Sequence, residues 1–109
     1  MFNILVVDDD KNIRFVMKEV LEANQYNVFT AKNGEDAFEV MVNEHIDLAI
    51  VDIMMPKMDG YEFTEELRNF NQDLPVLMVS AKQLPEDRKK GFMSGIDDFM
   101  TKPIDTEEL

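Results

Sequence analysis

The chain has 109 residues, 45% of them hydrophobic, and a formal net charge of −12. This length and apolar content are sufficient for one domain with a hydrophobic core and too small for two, so we expect a single domain over residues 1–109. The charge argues against direct nucleic acid binding, because phosphates and an acidic domain repel each other. Cysteine is absent, which excludes disulfides, a thiol nucleophile and thiolate metal ligands.

Neither a membrane span nor an export signal is apparent in the sequence. No apolar stretch approaches the roughly 20 residues that cross a bilayer. The opening MFNILVVDDD reaches three acidic residues too early for a signal peptide. We therefore expect a cytoplasmic protein without membrane contact.

Short apolar runs, rich in β-branched residues and separated by helical patterns, predict five strands. In chain order they are NILVV at 3–7, NVFTA at 27–31, DLAIV at 47–51, PVLMV at 75–79 and the weaker DFMT at 98–101.

The first helix is predicted between the first two strands, where apolar side chains recur at the i, i+3, i+4, i+7, i+8 spacing of an amphipathic helix. These positions are Ile13, Val16, Met17, Val20 and Leu21. Either Asp9 or Asp10 can cap the start of this helix.

Similar spacing predicts a second helix after Gly34 and, less regularly, a third after Gly60. A short, marginal fourth helix is expected over 84–95, which has few apolar residues. The last residues, PIDTEEL, have the pattern of a helix start, so we expect a fifth helix that is incomplete at Leu109.

Alternation of strands and helices, with strands apolar on both faces, predicts a parallel sheet covered by helices on each side. The fold class expected from the sequence is therefore a doubly wound α/β domain. In such sheets, ligands bind beyond the carboxyl ends of the strands, where the strand order reverses.

Polar residues follow the predicted strands at these carboxyl ends. The first strand is followed by Asp8 and Asp9, the third by Asp52, the fourth by Ser80 and the fifth by Lys102. If the first and third strands are neighbours, three carboxylates meet in one crevice, with a hydroxyl and an ammonium group on its other side.

Carboxylates this close repel one another unless a cation neutralises them. Oxygen ligands without cysteine or a nearby histidine favour Mg²⁺. A hydroxyl and a lysine facing a metal-bound carboxylate are the groups that a phosphoryl group needs. Asp52 is then a candidate nucleophile that forms an acyl phosphate. His45, in a turn before the third strand, is expected to be a surface residue.

The motifs ILVVDDD, IVDIMMPKMDG, VLMVSA and DDFMTKP, in this order and spacing, resemble those of the receiver domain of bacterial two-component response regulators. The resemblance covers essentially the whole chain. It implies a flavodoxin-like (βα)5 three-layer sandwich with the parallel strand order 2-1-3-4-5, here with the fifth helix truncated.

The resemblance also implies the roles of the site residues. Asp52 would be the phosphoacceptor, with Ser80 and Lys102 binding the phosphoryl oxygens. The implied Mg²⁺ ligands are Asp8, Asp9, Asp52 and the main-chain carbonyl of Met54. By the same comparison, Ser80 moves toward the new phosphoryl group and Phe99 turns inward as the aromatic switch residue. The peptide bond between Lys102 and Pro103 is expected to be cis.

Partners follow from the same resemblance. The phosphoryl donor would be a sensor histidine kinase, and the chain most resembles the branch of receivers that precede a winged-helix DNA-binding domain. That branch implies a homodimer through the fourth helix, fifth strand and fifth helix, and the incomplete fifth helix suggests segment exchange as another route to a dimer. Any effector domain lies outside this sequence.

Three alternative functions stay open at this point. A stand-alone receiver would act through protein contacts only. A phosphohydrolase of the haloacid dehalogenase type is disfavoured, because Met54 stands where those enzymes have a second aspartate that transfers protons; turnover would be limited to slow autodephosphorylation. A nucleotide or flavin binder is disfavoured because no glycine directly follows the first strand.

Overall fold

The fold is taken from a computed structural model that describes residues 1–53, 55, 57–69, 71, 73–80 and 98–101; for Ser80 and residues 98–101 it describes the backbone. Strands and helices alternate along these residues. They are β1 (Asn3–Val7), α1 (Lys11–Ala23), β2 (Asn27–Ala31), α2 (Gly34–Asn43), β3 (Leu48–Asp52), α3 (Gly60–Arg68), β4 (Val76–Ser80) and β5 (Asp98–Thr101).

The five strands form one parallel sheet in the order β2-β1-β3-β4-β5, which confirms the predicted fold class and strand order. The strand ends are in step at the carboxyl edge. Val7 of β1 pairs with Val51 of β3, so the residues that follow them, Asp8 and Asp52, lie at the same edge. The order reverses between β1 and β3, and this reversal is the position at which such sheets bind ligands.

Side chains of the central strands alternate between two hydrophobic clusters, one on each face of the sheet, as the two-residue period of a strand requires. Leu5 and Val7 belong to the cluster that includes residues of α2 and α3. Ile4 and Val6 belong to the cluster that includes Met17 of α1. A sheet buried on both faces is the reason why β1, β3 and β4 are apolar at consecutive positions.

Polar side chains define the helix starts. The Asp10 carboxylate accepts hydrogen bonds from the backbone N–H of Asn12 at 2.8 Å and of Ile13 at 3.4 Å, so Asp10 caps α1. The helix α3 begins with a capping box, in which the Asp59 carboxylate accepts from the Glu62 N–H at 2.9 Å and the Asp59 N–H donates to the Glu62 carboxylate at 3.2 Å. These caps fix where the chain turns away from the carboxyl edge of the sheet.

The third and fourth strands begin one residue later than the sequence predicts, at Leu48 and Val76. The predicted helix over 84–95 and the incomplete fifth helix lie outside the described residues. Within the described part of the chain, none of the helices is long and apolar enough to cross a lipid bilayer.

Candidate metal centre

Three carboxylates converge at the carboxyl edge of the sheet. Asp8, Asp9 and Asp52 each offer one oxygen, and these oxygens all lie within 4.8 Å of one another. Asp8 and Asp52 are 2% and 3% exposed, whereas Asp9 is exposed. The cluster therefore has a buried base and one side that faces solvent.

Hydrogen bonds hold the backbone and the side chain of Asp8. Its backbone N–H donates to the carbonyl of Ala31 in β2 at 3.1 Å. Its carboxylate accepts from the backbone N–H of Asp10 at 2.9 Å, and its carbonyl accepts from the Arg14 guanidinium at 2.6 Å. The backbone and the carboxylate of Asp8 are thus both constrained by neighbours.

Asp52 is the last residue of β3 and pairs with Val79 of β4. The chain after it is fixed as well, because the Ile53 N–H donates to the Val79 carbonyl at 2.9 Å and the Ile53 carbonyl accepts from the Gly60 N–H at 2.9 Å. A Cβ atom on Gly60 would lie 2.6 Å from the Asp52 carbonyl oxygen and 2.9 Å from Ile53 Cα. Only glycine allows α3 to start this close to the strand end.

The donor set fits a hard divalent cation. Carboxylate oxygens are the ligands that Mg²⁺ prefers, and two oxygens on opposite sides of one Mg²⁺ are separated by about 4 Å. The observed upper limit of 4.8 Å between the three oxygens is close to this value. The exposed side at Asp9 leaves room for the water ligands that Mg²⁺ usually keeps.

The remaining predicted site residues fall at the edge of the described part or beyond it. Ser80 is the last residue of β4, and its backbone pairs with Thr101, the residue before Lys102. The side chains of Ser80 and Phe99, and all of Met54 and Lys102, lie outside the described residues. Their roles stay predictions.

A second polar group lies at the opposite, amino-terminal edge of the sheet. His45 has an 82% exposed side chain and pairs with the Asp47 carboxylate at 2.9 Å, which confirms that it is a surface residue. The other carboxylate oxygen of Asp47 accepts from the Asn3 backbone N–H at 2.8 Å. This hydrogen bond is the main reason why the pKa of Asp47 is lowered; burial opposes the shift and His45 adds to it.

Sequence reasoning missed two residues of the carboxyl edge. Arg14 is a charged residue of the kind that usually faces solvent on a helix. Its position early in α1, directly after the acidic segment, is the only sequence signal that it could contact Asp8. Gly60 only marks the start of the predicted third helix in the sequence, and its contact with Asp52 depends on how α3 packs. A sequence signal for this contact exists: the pair Asp59-Gly60 follows the apolar strand β3 closely. Such a short connection brings the helix start near the strand end.

Comparison with known proteins gives the family. The sequence matches the response regulator receiver domain over residues 4–109. The heme response regulator HssR of Staphylococcus haemolyticus is 42% identical over 109 residues, which make up 100% of this chain and 48% of that protein. The transcriptional regulatory protein RprY of Bacteroides fragilis is 39% identical over 106 residues, 97% of this chain and 45% of that protein.

A solved structure agrees with these sequence matches. The chemotaxis protein CheY4 of Vibrio cholerae superposes with a TM-score of 0.93 at 31% identity, over 98% of this chain and 91% of that one. The chain spans about half the length of the curated relatives HssR and RprY. With its sheet order, its acidic cluster and these matches, the chain belongs to the response regulator receiver domain family of two-component signalling.

Proposed function

We propose that this chain, a single receiver unit over residues 1–109, accepts a phosphoryl group on Asp52 from a sensor histidine kinase and passes the signal to an output as a change of surface. The observation that carries the proposal is the approach of three carboxylate oxygens within 4.8 Å at the point where the strand order reverses. We place the chain in the cytoplasm because the sensor histidine kinase needs ATP.

The position of Asp52 in the sheet favours it as the acceptor among the three acids. The strand β3 lies between β1, which leads into Asp8 and Asp9, and β4, which ends at Ser80. Asp52 thus lies between the strand that leads into the other two acids and the strand that ends at Ser80. Its backbone is fixed by the ladder to β4, as a nucleophile with defined geometry requires.

The transfer is an in-line displacement at phosphorus. A carboxylate oxygen of Asp52 attacks the phosphorus of a phosphohistidine, and the new P–O bond forms as the P–N bond breaks. The leaving imidazole keeps the electron pair of the P–N bond and takes a proton from solvent. Asp8, Asp9, Asp52 and the carbonyl of Met54 would hold Mg²⁺, which offsets the negative charge on the reacting oxygens. Ser80 and Lys102 would donate to the phosphoryl oxygens.

The helix α1 offers a surface on which a protein donor can dock. It starts directly beyond the acidic cluster, and its side chains Phe15 and Val16 are 62% and 54% exposed. Large apolar side chains exposed next to each other commonly belong to a protein contact. This surface supports a protein phosphodonor, in agreement with the kinase partner.

The output we propose is transcription, through a DNA-binding domain beyond the receiver. RprY is named as a transcriptional regulatory protein, and about half of its length lies beyond the match to this chain. A phosphoryl group adds nearly two negative charges. It would draw Ser80 inward and allow Phe99 to follow, remodelling a dimer surface formed by the fourth helix, β5 and the fifth helix.

Two other functions have less support. A stand-alone receiver that acts by protein contacts is one of them, since the match covers 91% of the CheY4 chain, although at a lower identity of 31%. A phosphohydrolase needs a proton-transferring group two residues after the nucleophile, and that position is Met54. We therefore expect no catalysis beyond self-phosphorylation and slow autodephosphorylation.

Intact-mass measurement after incubation with acetyl phosphate, with and without Mg²⁺, tests the proposal. We expect the wild-type chain to gain one phosphoryl group only with Mg²⁺, and Asp52→Asn to gain none, because an amide is not a nucleophile toward phosphorus. An adduct that forms without Mg²⁺, or on the Asp52→Asn chain, would contradict the assignment.

Asp10→Asn is the matched control. It removes one negative charge from the same segment, and asparagine caps a helix as well as aspartate does. We expect this variant to be phosphorylated like the wild type, which separates the role of Asp52 from a general effect of charge.

A further inference from the structure

The side chain of Arg14 contacts the backbone of the acidic segment. Its guanidinium donates a 2.6 Å hydrogen bond to the carbonyl of Asp8, and the contact is partly buried. The β1–β2 register ends at Val7 and Ala31, so this carbonyl lies one residue beyond the last paired position of the two strands.

The hydrogen bond links a helix residue to the turn that carries two of the three carboxylates. Asp8 is held at its N–H by Ala31 and at its carboxylate by the Asp10 N–H. The hydrogen bond from Arg14 fixes the Asp8 carbonyl, which is part of the peptide group that joins Asp8 to Asp9. Rotation of this peptide group would change ψ of Asp8 and φ of Asp9, on which the directions of both side chains depend.

We propose that Arg14 is a positioning residue for the metal site: it holds the peptide between Asp8 and Asp9 so that both carboxylates point at the same ion. This inference rests on the proposed function, since it assigns Arg14 to the Mg²⁺ site of that function. Arg14 donates to a carbonyl and contributes no ligand atom, because a guanidinium has no acceptor. Groups that orient metal ligands commonly change metal affinity 10- to 100-fold when they are removed.

Charge alone leads to the opposite expectation. A cation beside three carboxylates repels Mg²⁺, so its removal should tighten metal binding by relieving that repulsion. The two effects therefore differ in sign. A weaker affinity after neutralisation of Arg14 can be explained by lost positioning and not by electrostatics.

The test is isothermal titration calorimetry with MgCl₂ on the wild-type chain, Arg14→Gln, Arg14→Lys and Lys18→Gln, together with a urea unfolding curve for each. Lys18 is the matched control, because it lies four residues further on the same face of α1, is exposed and carries the same charge. We expect Arg14→Gln to bind Mg²⁺ about tenfold more weakly. Arg14→Lys should be intermediate, since lysine keeps a donor and loses the planar fork.

Lys18→Gln should bind as the wild type does or slightly more tightly. A second readout is the Mg²⁺ dependence of phosphorylation by acetyl phosphate, followed by intact mass. For Arg14→Gln, we expect the Mg²⁺ concentration at half-maximal rate to rise about tenfold while the rate at saturating Mg²⁺ stays near that of the wild type.

Unchanged or tighter Mg²⁺ binding by a folded Arg14→Gln chain would overturn the inference while leaving the proposed function intact. Should Arg14→Gln fail to fold, Arg14→Lys decides: weaker binding supports the inference and wild-type binding overturns it. A wild-type chain that binds no Mg²⁺ would overturn the proposed function and the inference together.

Discussion

Among the buried and half-buried acids, Asp47 differs from those of the candidate metal centre in what surrounds it. Asp8 and Asp52 lie near other carboxylates, whereas Asp47 lies near donors: the Asn3 N–H, the His45 ring and the chain's amino terminus. The carboxylate joins the start of β3 to the start of β1, since the Asp47 N–H also donates to the Asn3 carbonyl at 2.8 Å. Its role is structural.

This environment predicts how the Asp47 carboxylate contributes to stability as the pH changes. Its pKa is lowered below the ordinary value of 3.8 in the folded chain, mainly by the Asn3 hydrogen bond. A folded-state pKa below the unfolded one means that the ionised form stabilises the fold above pH 3.8 and that this contribution is lost as the pH falls through and below that value.

We expect Asp47→Asn to be less stable than the wild type at neutral pH, with the difference shrinking as the pH falls below 3.8. Urea unfolding curves at several pH values measure it. Glu22→Gln, which removes an exposed carboxylate of α1, serves as the control. A difference between Asp47→Asn and the wild type that is constant over the whole pH range would show that the charge of Asp47 is not the cause.

At the scale of elements, the junction of β3 and α3 positions Asp52. The helix begins at Gly60, whose N–H donates to the Ile53 carbonyl, and a Cβ atom there would lie within 3 Å of backbone atoms of both Asp52 and Ile53. Backbone atoms cannot move aside as a side chain can. The helix start and the strand end must therefore separate if any side chain is added.

We expect Gly60→Ala to lower the free energy of unfolding by about 1–3 kcal/mol, as overpacking in a core does. It should also slow phosphorylation by acetyl phosphate, because the shift occurs at Asp52. Gly34→Ala is the control, since its Cβ would meet chiefly the flexible Met58 side chain, with Sδ at 2.8 Å. Chemical denaturation and intact-mass kinetics measure both effects, and equal losses in the two variants would refute the explanation by backbone contact.

Much of the order of elements follows from sequence periodicity alone. The limits of β1, β2 and β5 agree with the apolar runs, and α1 lies where its amphipathic spacing predicts. One position of that spacing was wrong: Val16 is 54% exposed, and Met17 and Leu21 are the buried residues of the helix. The starts of β3 and β4 do not agree with the apolar runs. At β3, the Asn3 N–H donates to the Asp47 side chain, and at β4, Pro75 has no N–H to donate. Periodicity detects apolar character and does not detect which backbone groups are paired.

The acidic cluster was predictable for a geometric reason: parallel strands end at one edge, so Asp8, Asp9 and Asp52 meet there once β1 and β3 are neighbours. The strand order itself came from the resemblance to receivers. The contacts of Arg14 and Gly60 were not predictable, because each depends on the packing of a helix against the sheet. Long-range contacts of this kind leave no periodic signal in one sequence.

At the scale of the whole molecule, the charge of −12 and the acidic cluster act in the same direction. A strongly acidic chain is destabilised by its own repulsion, and three carboxylates at one sheet edge concentrate that repulsion. Salt screens exposed charges without binding at a site. A bound divalent ion instead stabilises the folded chain by mass action, to an extent set by its dissociation constant.

We therefore expect Mg²⁺ to raise the free energy of unfolding more than NaCl does at equal ionic strength, by about 1.4 kcal/mol when free Mg²⁺ is ten times its dissociation constant. Asp9→Asn should lose most of this gain while being more stable than the wild type without Mg²⁺, since it relieves repulsion. Asp10→Asn should keep the gain, because the Asp10 carboxylate caps α1 and does not belong to the acidic cluster. Urea unfolding in the two salts distinguishes binding at the acidic cluster from screening of the chain's charge. An equal effect of NaCl and Mg²⁺ on the wild type would mean that Mg²⁺ only screens charge and does not bind the cluster.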